Sequence, residues 1–154
     1  MRMPIYFLVM LLVMGAGLAA SDSFSEEEKK MLQDSGGWEY LTLSDPHNIQ
    51  TVHTCFDGQP HPQECSGTLT LTSANTFVQS VKIQGHAIER HGTYQLDGDR
   101  ITFLDEFGIQ DGPFVLHLDV PAKHLQLETP QLRMELELES QYREDRKAHK
   151  PGKR

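Results

Sequence analysis

Short stretches in which apolar and polar residues alternate, separated by turn-forming residues, dominate the chain from residue 38 onward. In the last stretch every second residue from Leu132 to Leu138 is apolar, and the residues between them are charged. Alternation with a period of two is typical of a β-strand that buries one face. The pattern predicts nine strands: Trp38–Leu43, Ile49–Cys55, Gly67–Thr72, Thr76–Ile83, Ala87–Leu96, Arg100–Leu104, Phe114–Val120, His124–Glu128 and Leu132–Leu138.

The connections between these strands are short and carry residues that favour turns. Asp97-Gly98 is a two-residue hairpin signal, and Asp111-Gly112-Pro113 and Thr129-Pro130 break the pattern elsewhere. No helical pattern lies between the strands, so consecutive strands are expected to pair as an antiparallel meander. Closure into a barrel hides the sheet edges. We therefore predict an all-β fold, a single antiparallel up-and-down β-barrel of about eight short strands over residues 36–140. A seven-stranded sandwich is the alternative.

Residues 1–20 have the layout of a secretory signal peptide. Arg2 precedes an uncharged apolar run of 16 residues, Ile5–Ala20, and small residues follow. The run is shorter than the ~20 residues that cross a bilayer as a helix, and an uncleaved anchor is the alternative. We expect cleavage after Ala19, Ala20 or Ser21 and a mature protein that is secreted or periplasmic.

Two segments flank the predicted barrel. Residues 21–35 are expected to contain a short helix, because Ser25 and Glu28 have the spacing of a capping box and Gly36-Gly37 ends the helical pattern. Residues 141–154 hold six basic and two acidic residues and are expected to form a flexible basic tail. The tail either solubilises the protein or makes weak contact with anionic surfaces. The net charge of the 154-residue chain is −8, which argues against nucleic acid as a partner.

The two cysteines, Cys55 and Cys65, are expected to form a disulfide. An exported chain meets oxidising conditions, and two thiols allow one intramolecular pairing. The alternative is a metal site that also uses His53 and His61. No metal is predicted, since the remaining histidines show no third ligand at a suitable spacing; His117 and His124 are expected to lie together on the solvent face of a hairpin.

Two motifs resemble those of a known family. Gly36-Gly37-Trp38 contains G-x-W at the start of the first strand, and GTYQLDGDRITFLDEFG later in the chain has a strand, a turn and a second strand. These motifs resemble lipocalin-like (calycin-type) small secreted bacterial β-barrel domains, over residues 36–138. The resemblance implies that Trp38 closes the base of the barrel and that Arg133, from the last strand, packs across it.

The alternation also predicts which side chains line the barrel interior. Arg90 shares the inward parity of its apolar neighbours, and a charge on an apolar wall needs a partner. That partner is either a carboxylate or phosphate of a ligand, or an internal carboxylate such as Asp105. The candidate ligand-binding residues are Phe77, Ile88, Arg90, Tyr94, Phe103, Phe114 and Leu116.

The sequence carries no sign of catalysis. It lacks the motifs of a nucleophile elbow, a zinc protease and a phosphate-binding loop, so we predict no enzyme and no cofactor. We expect an exported binding protein that holds a small apolar or amphipathic ligand, with or without a carboxylate, inside the barrel. The alternative is a protein-binding module or inhibitor that acts on another exported protein through the Cys55–Cys65 loop.

Overall fold

The computed structural model describes residues 24–58 and 63–150, with the backbone alone for residues 49 and 50. The expected signal peptide and the last four residues of the expected tail lie outside these ranges. The elements are α1 (Glu26–Asp34), β1 (Trp38–Asp45), β2 (Asn48–Thr54), β3 (Cys65–Leu71), β4 (Thr76–Ile83), β5 (His86–Asp97), β6 (Arg100–Asp105), β7 (Gln110–Asp119), β8 (His124–Glu128), β9 (Arg133–Leu138) and α2 (Glu139–Ala148).

The strands form one closed antiparallel sheet. From β3 to β9 each strand pairs with the next along the chain, and β1 pairs with both β3 and β9. Eight strands therefore close into an up-and-down barrel, and β2 is an additional strand alongside the second half of β1. This confirms the predicted fold class. The architecture is consistent with a calycin-type fold.

Helix α1 closes one end of the barrel, which we call the closed end. The indole Nε1 of Trp38, at the start of β1, donates a hydrogen bond to the carbonyl of Leu32 at 3.2 Å. On the opposite side, Gln33 Nε2 donates to the Tyr94 hydroxyl of β5 at 2.6 Å, and that hydroxyl donates to the Thr72 carbonyl. Because α1 contacts β1 and β5 together, it crosses the end of the barrel. Its first turn carries the predicted capping box.

Aromatic and aliphatic side chains fill most of the interior. The ring of Phe103 packs edge-on against Phe77 and Phe114, with centroid distances of 4.9 and 5.8 Å. Each of these rings comes from a different strand and points inward by alternation. Burial of such side chains is the main stabilising contribution to the fold. The interior is therefore largely a packed core.

The second helix, α2, occupies most of the segment that the sequence predicted as a flexible tail. It is held from Glu139 to Ala148 by contacts that follow no local sequence pattern. The ring of Tyr142 packs against Phe56 at 5.3 Å, and its hydroxyl accepts a hydrogen bond from the Asp57 N–H. Arg146 forms an ion pair with Asp57. Tertiary packing thus orders a strongly charged segment.

Strand β7 begins earlier than predicted. The sequence placed a break at Asp111-Gly112-Pro113, whereas the strand starts at Gln110 and its register with β6 shifts between Ile101 and Phe103. Gly112 has φ 104°, in the region that favours glycine. The residues predicted as a breaker therefore form an irregularity within the strand.

Cys55 and Cys65 form a disulfide, as predicted, and both side chains are buried. Such a bond is typical of an oxidising, extracellular compartment. Among the described residues, no helix is long and apolar enough to cross a membrane.

Replacing both cysteines by alanine is expected to lower the free energy of unfolding by about 2–3 kcal/mol, because the unfolded chain loses a constraint on an 11-residue ring. Urea unfolding of the oxidised wild type and the double variant measures the difference. The exposed substitution Lys82→Ala is the control and should change stability by less than ~0.5 kcal/mol. A double variant as stable as the control would contradict a stabilising role of the disulfide.

Candidate functional site

The end of the barrel opposite α1, which we call the open end, carries the turns β1–β2, β4–β5, β6–β7 and β8–β9. A cavity of about 70 Å³ extends from this end into the interior. It is bounded by strands β1, β3 to β9 and the β8–β9 turn. Its walls are formed by Tyr40, Leu69, Phe77, Gln79, Arg90, Phe103, Asp111, Phe114, Leu127, Leu132 and Met134.

Four of the seven predicted ligand-binding residues line this cavity: Phe77, Arg90, Phe103 and Phe114. Tyr94 and Leu116 are buried in the interior but are not part of its walls. Tyr94 lies toward the closed end, where its hydroxyl is engaged by α1.

Ile88 corrects the prediction. It lies opposite Val81 and has the same parity as Arg90, but it is 45% exposed. Strand β5 is 12 residues long, longer than its partner strands, and its first residues extend past the cavity at the open end. Parity was therefore not sufficient to place Ile88 inside, because alternation gives the direction of a side chain and not its depth.

Arg90 makes two ion pairs at the mouth of the cavity. Its Nε donates to Asp105 Oδ2 at 3.4 Å and its Nη1 donates to Asp111 Oδ2 at 3.0 Å. Asp105 has a side chain that is 4% exposed, while that of Asp111 is 48% exposed. The internal pairing with Asp105, one of the two alternatives for Arg90, is therefore present. Asp111, at the solvent side, can turn into water at little cost.

Asp105 also organises the β6–β7 turn. Its Oδ1 accepts hydrogen bonds from the N–H groups of Phe107 and Ile109 at 3.0 and 2.8 Å. Burial opposes ionisation of this carboxyl, but the two N–H donors and the Arg90 guanidinium outweigh it and hold the pKa of Asp105 below its ordinary value. One carboxylate thus connects the charged mouth with the adjacent turn.

The third nitrogen of the Arg90 guanidinium makes no hydrogen bond to the described residues. Arg90 Nη2 is buried, and it has no hydrogen-bond partner among the described residues. A buried donor without an acceptor is unfavourable and uncommon. An acceptor atom supplied to the cavity from outside would satisfy it.

A second donor lies on the cavity wall. Gln79 Nε2 donates to the Tyr40 hydroxyl oxygen at 2.7 Å, which leaves the phenolic proton free to be donated. Burial raises the pKa of Tyr40 to about 12, so the proton stays on the phenol at neutral pH. The cavity therefore combines aromatic and aliphatic walls with an N–H and an O–H donor, a composition suited to a ligand with an oxygen acceptor.

Sequence reasoning did not select Tyr40, Gln79 or Asp111 as site residues. The signal for two of them was present, since Tyr40 has the parity of Trp38 and Gln79 has that of Phe77 and Val81. Both are polar residues at inward positions of their strands, as Arg90 is. Asp111 gives no such signal, because Asp-Gly-Pro is a sequence typical of a turn.

The expected contact between Arg133 and Trp38 is wrong. The register of β1 with β9 places Trp38 opposite Leu138 and Arg133 opposite Ser44. The two side chains therefore lie at opposite ends of the barrel. Arg133 is half-exposed and forms an ion pair with Glu128 at 2.7 Å. Trp38 itself is fully buried at the closed end.

Among the described residues, histidines contact single glutamates but do not gather into a metal site. His124 lies opposite Asp119, two residues from the position opposite His117, and its Nε2 contacts Glu137 at 3.3 Å. In the described ranges, no group of three or more histidine, cysteine, aspartate or glutamate side chains could hold a metal ion.

The function has to be inferred from the barrel and its cavity, because comparisons with known proteins found no match. No family model, no curated protein and no solved structure matches this chain.

Proposed function

We propose that this protein is an exported, non-enzymatic binding module of the lipocalin type that takes a small amphipathic ligand at the open end of its barrel. The observation that carries the proposal is the buried Nη2 of Arg90, which has no partner among the described residues and belongs to a side chain that lines a mainly aromatic and aliphatic cavity. The disulfide and the signal-peptide pattern of residues 1–20 support export.

The size of the cavity determines which part of a ligand it takes. Its 70 Å³ is far below the ~300–1,000 Å³ of pockets that enclose a drug-sized molecule. The buried part of the ligand is therefore a head group with an oxygen acceptor, which meets Arg90 Nη2 and the Tyr40 O–H. A carboxylate head adds its own charge to the hydrogen bond with Arg90, and Asp111, which is half-exposed, turns into water to relieve the repulsion between the two carboxylates.

The test is a binding measurement with two head groups. Sodium decanoate and decanamide share a chain and differ in charge, and calorimetric titration of each into the mature protein gives its Kd. We expect binding of at least one, and a Kd weakened about 10- to 100-fold in Arg90→Gln, because a hydrogen bond to a charged donor is worth about 1.5–3 kcal/mol.

Two further variants make the result interpretable. Arg100→Gln removes an exposed arginine on β6 and should leave the Kd unchanged. Tyr40→Phe preserves both ion pairs of Arg90 and should weaken binding by about fivefold, the value of one neutral hydrogen bond. If neither compound binds the wild type, or if Arg90→Gln and Arg100→Gln bind equally well, the proposed site is wrong.

A protein-binding role for the Cys55–Cys65 segment is the second candidate. The observation that favours it is the attachment of the first residues of the segment: Phe56 packs against Tyr142, and Asp57 pairs with Arg146 of α2. A loop held at its base loses little entropy when it binds. Affinity capture of exported proteins with the wild type and with Cys55→Ser is the test; equal recovery by both would count against this candidate.

A further inference from the structure

The open end carries a second layer of side chains outside the charged mouth. Three neighbouring strands each contribute one charged residue to the mouth, Arg90 from β5, Asp105 from β6 and Asp111 from β7. Each of these three residues has an apolar residue two positions away along the chain, in the direction of solvent. These are Ile88 on β5, and Phe107 and Ile109 in the β6–β7 turn. We call these three residues the apolar lip.

The apolar lip is exposed to solvent. Ile88, Phe107 and Ile109 are 45%, 80% and 60% exposed. A single exposed apolar side chain needs no explanation. Here one lies on β5 and two lie in the neighbouring β6–β7 turn, all at the open end, and together they offer a surface that favours an apolar partner. None of them packs in the core.

The lip is also held in place. Asp105 Oδ1 fixes the N–H groups of Phe107 and Ile109, the Gly108 N–H donates to the Asp105 carbonyl, and the Asp105 N–H donates to the Ile109 carbonyl. The backbone of the turn is thus determined by four hydrogen bonds to one residue. Because this backbone is already fixed, the turn loses little backbone freedom when a ligand covers its apolar side chains.

We infer that the ligand is a single-chain amphiphile, whose head enters the cavity and whose chain leaves it across the apolar lip. This inference rests on the proposed function. The cavity is too small for more than a head group, so any chain attached to that head must emerge at the open end. Ile88 of the apolar lip is two residues from Arg90 on β5, toward the open end. The lip therefore offers an apolar surface to the part of the ligand chain that leaves the cavity. A compact apolar molecule would use neither the unpartnered donor nor the lip.

The test is a chain-length series. Sodium alkanoates from butanoate to dodecanoate, and the matching alkanamides, are titrated into the mature protein below their aggregation concentrations. We expect the Kd to fall about twofold for each added methylene beyond the head, since complete burial of a methylene changes an equilibrium constant about fourfold and the lip covers one side of the chain.

The lip variant Phe107→Ser/Ile109→Ser should lose this dependence on chain length and bind butanoate or butanamide as the wild type does. The control Val78→Ser/Leu104→Ser removes two other exposed apolar residues, from the outer face of β4 and β6, and it should keep the full dependence. Thermal unfolding confirms that both variants fold.

The outcomes separate the two proposals. If short compounds bind and the Kd does not depend on chain length, or if the lip variant keeps the wild-type dependence, the lip is not part of the site while the proposed function stands. If no compound of any length binds the wild type, the proposed function fails and the inference fails with it.

Discussion

Replacing Trp38 by alanine is expected to lower the free energy of unfolding by about 3–5 kcal/mol. The indole is fully buried, and its removal leaves a cavity between the barrel and α1. The substitution also removes the donor to the Leu32 carbonyl, one of the contacts that hold α1 across the closed end. Chemical unfolding, followed by circular dichroism because the only tryptophan is lost, measures the change.

Phe107→Ala is the matched control for Trp38→Ala. It also truncates a large aromatic side chain, but that side chain is 80% exposed and should contribute less than ~0.5 kcal/mol to stability. Trp38→Phe should fall between the two, since it keeps part of the apolar volume and loses the hydrogen bond. Similar losses for Trp38→Ala and Phe107→Ala would contradict the assignment of Trp38 to the closed end.

The stability of the protein is expected to fall as the pH rises from about 5 to about 8. Glu137, on the outer face of β9, has a side chain that is 4% exposed beneath α2. Burial, together with the carboxyl of Asp145, raises the pKa of Glu137 from 4.5 to about 8. The folded protein therefore keeps a proton that the unfolded chain releases.

The sign of the pH dependence follows from the difference between the folded and unfolded pKa of Glu137. The contribution of Glu137 to stability is complete below pH 4.5 and is lost as the pH rises through 8. The pKa of Asp145 is lowered, chiefly by its hydrogen bond with Glu137, so Asp145 is ionised across this window and accepts the Glu137 proton until Glu137 itself ionises. Allowing for solvent screening, we expect a loss on the order of 2 kcal/mol between pH 5 and pH 9.

Glu137→Gln should remove most of this pH dependence. Glutamine has nearly the same shape, its amide can donate to Asp145, and it does not ionise. The variant should match the wild type near pH 5 and exceed its stability at pH 9, as measured by urea unfolding at both values. Glu89→Gln, an exposed position on β5, should keep the wild-type profile. A Glu137→Gln profile as steep as that of Glu89→Gln would rule out Glu137 as the responsible group.

The site could be anticipated from the sequence only in part. Parity assigned Phe77, Phe103 and Phe114 to the interior, because side-chain direction in a strand is a local property with a fixed period. Parity also identified Arg90 as an inward charge and Asp105 as a partner. It failed for Ile88, whose depth depends on how far β5 extends past β6.

Other features depended on contacts between distant parts of the chain. The position of Arg133 relative to Trp38 was fixed by the register between β1 and β9. Helix α2 was ordered by Tyr142 and Arg146 against the segment that follows β2. The contact between Asp57 and Tyr142 joins residues 85 positions apart. Such a contact, like the register between the first and last strands, produces no local pattern in the sequence.

The sequence by itself determined the strands, helix α1 and the disulfide. Alternation and the capping box are local patterns, and two cysteines allow one intramolecular pairing. Only the tertiary structure decided that the interior is mostly filled, that a small cavity opens beside Arg90, and that Ile88, Phe107 and Ile109 lie outside it. The physical reason is that volume, depth and the pairing of buried charges depend on how side chains from different strands meet. One-dimensional periodicity specifies which way each side chain points but not what it meets there.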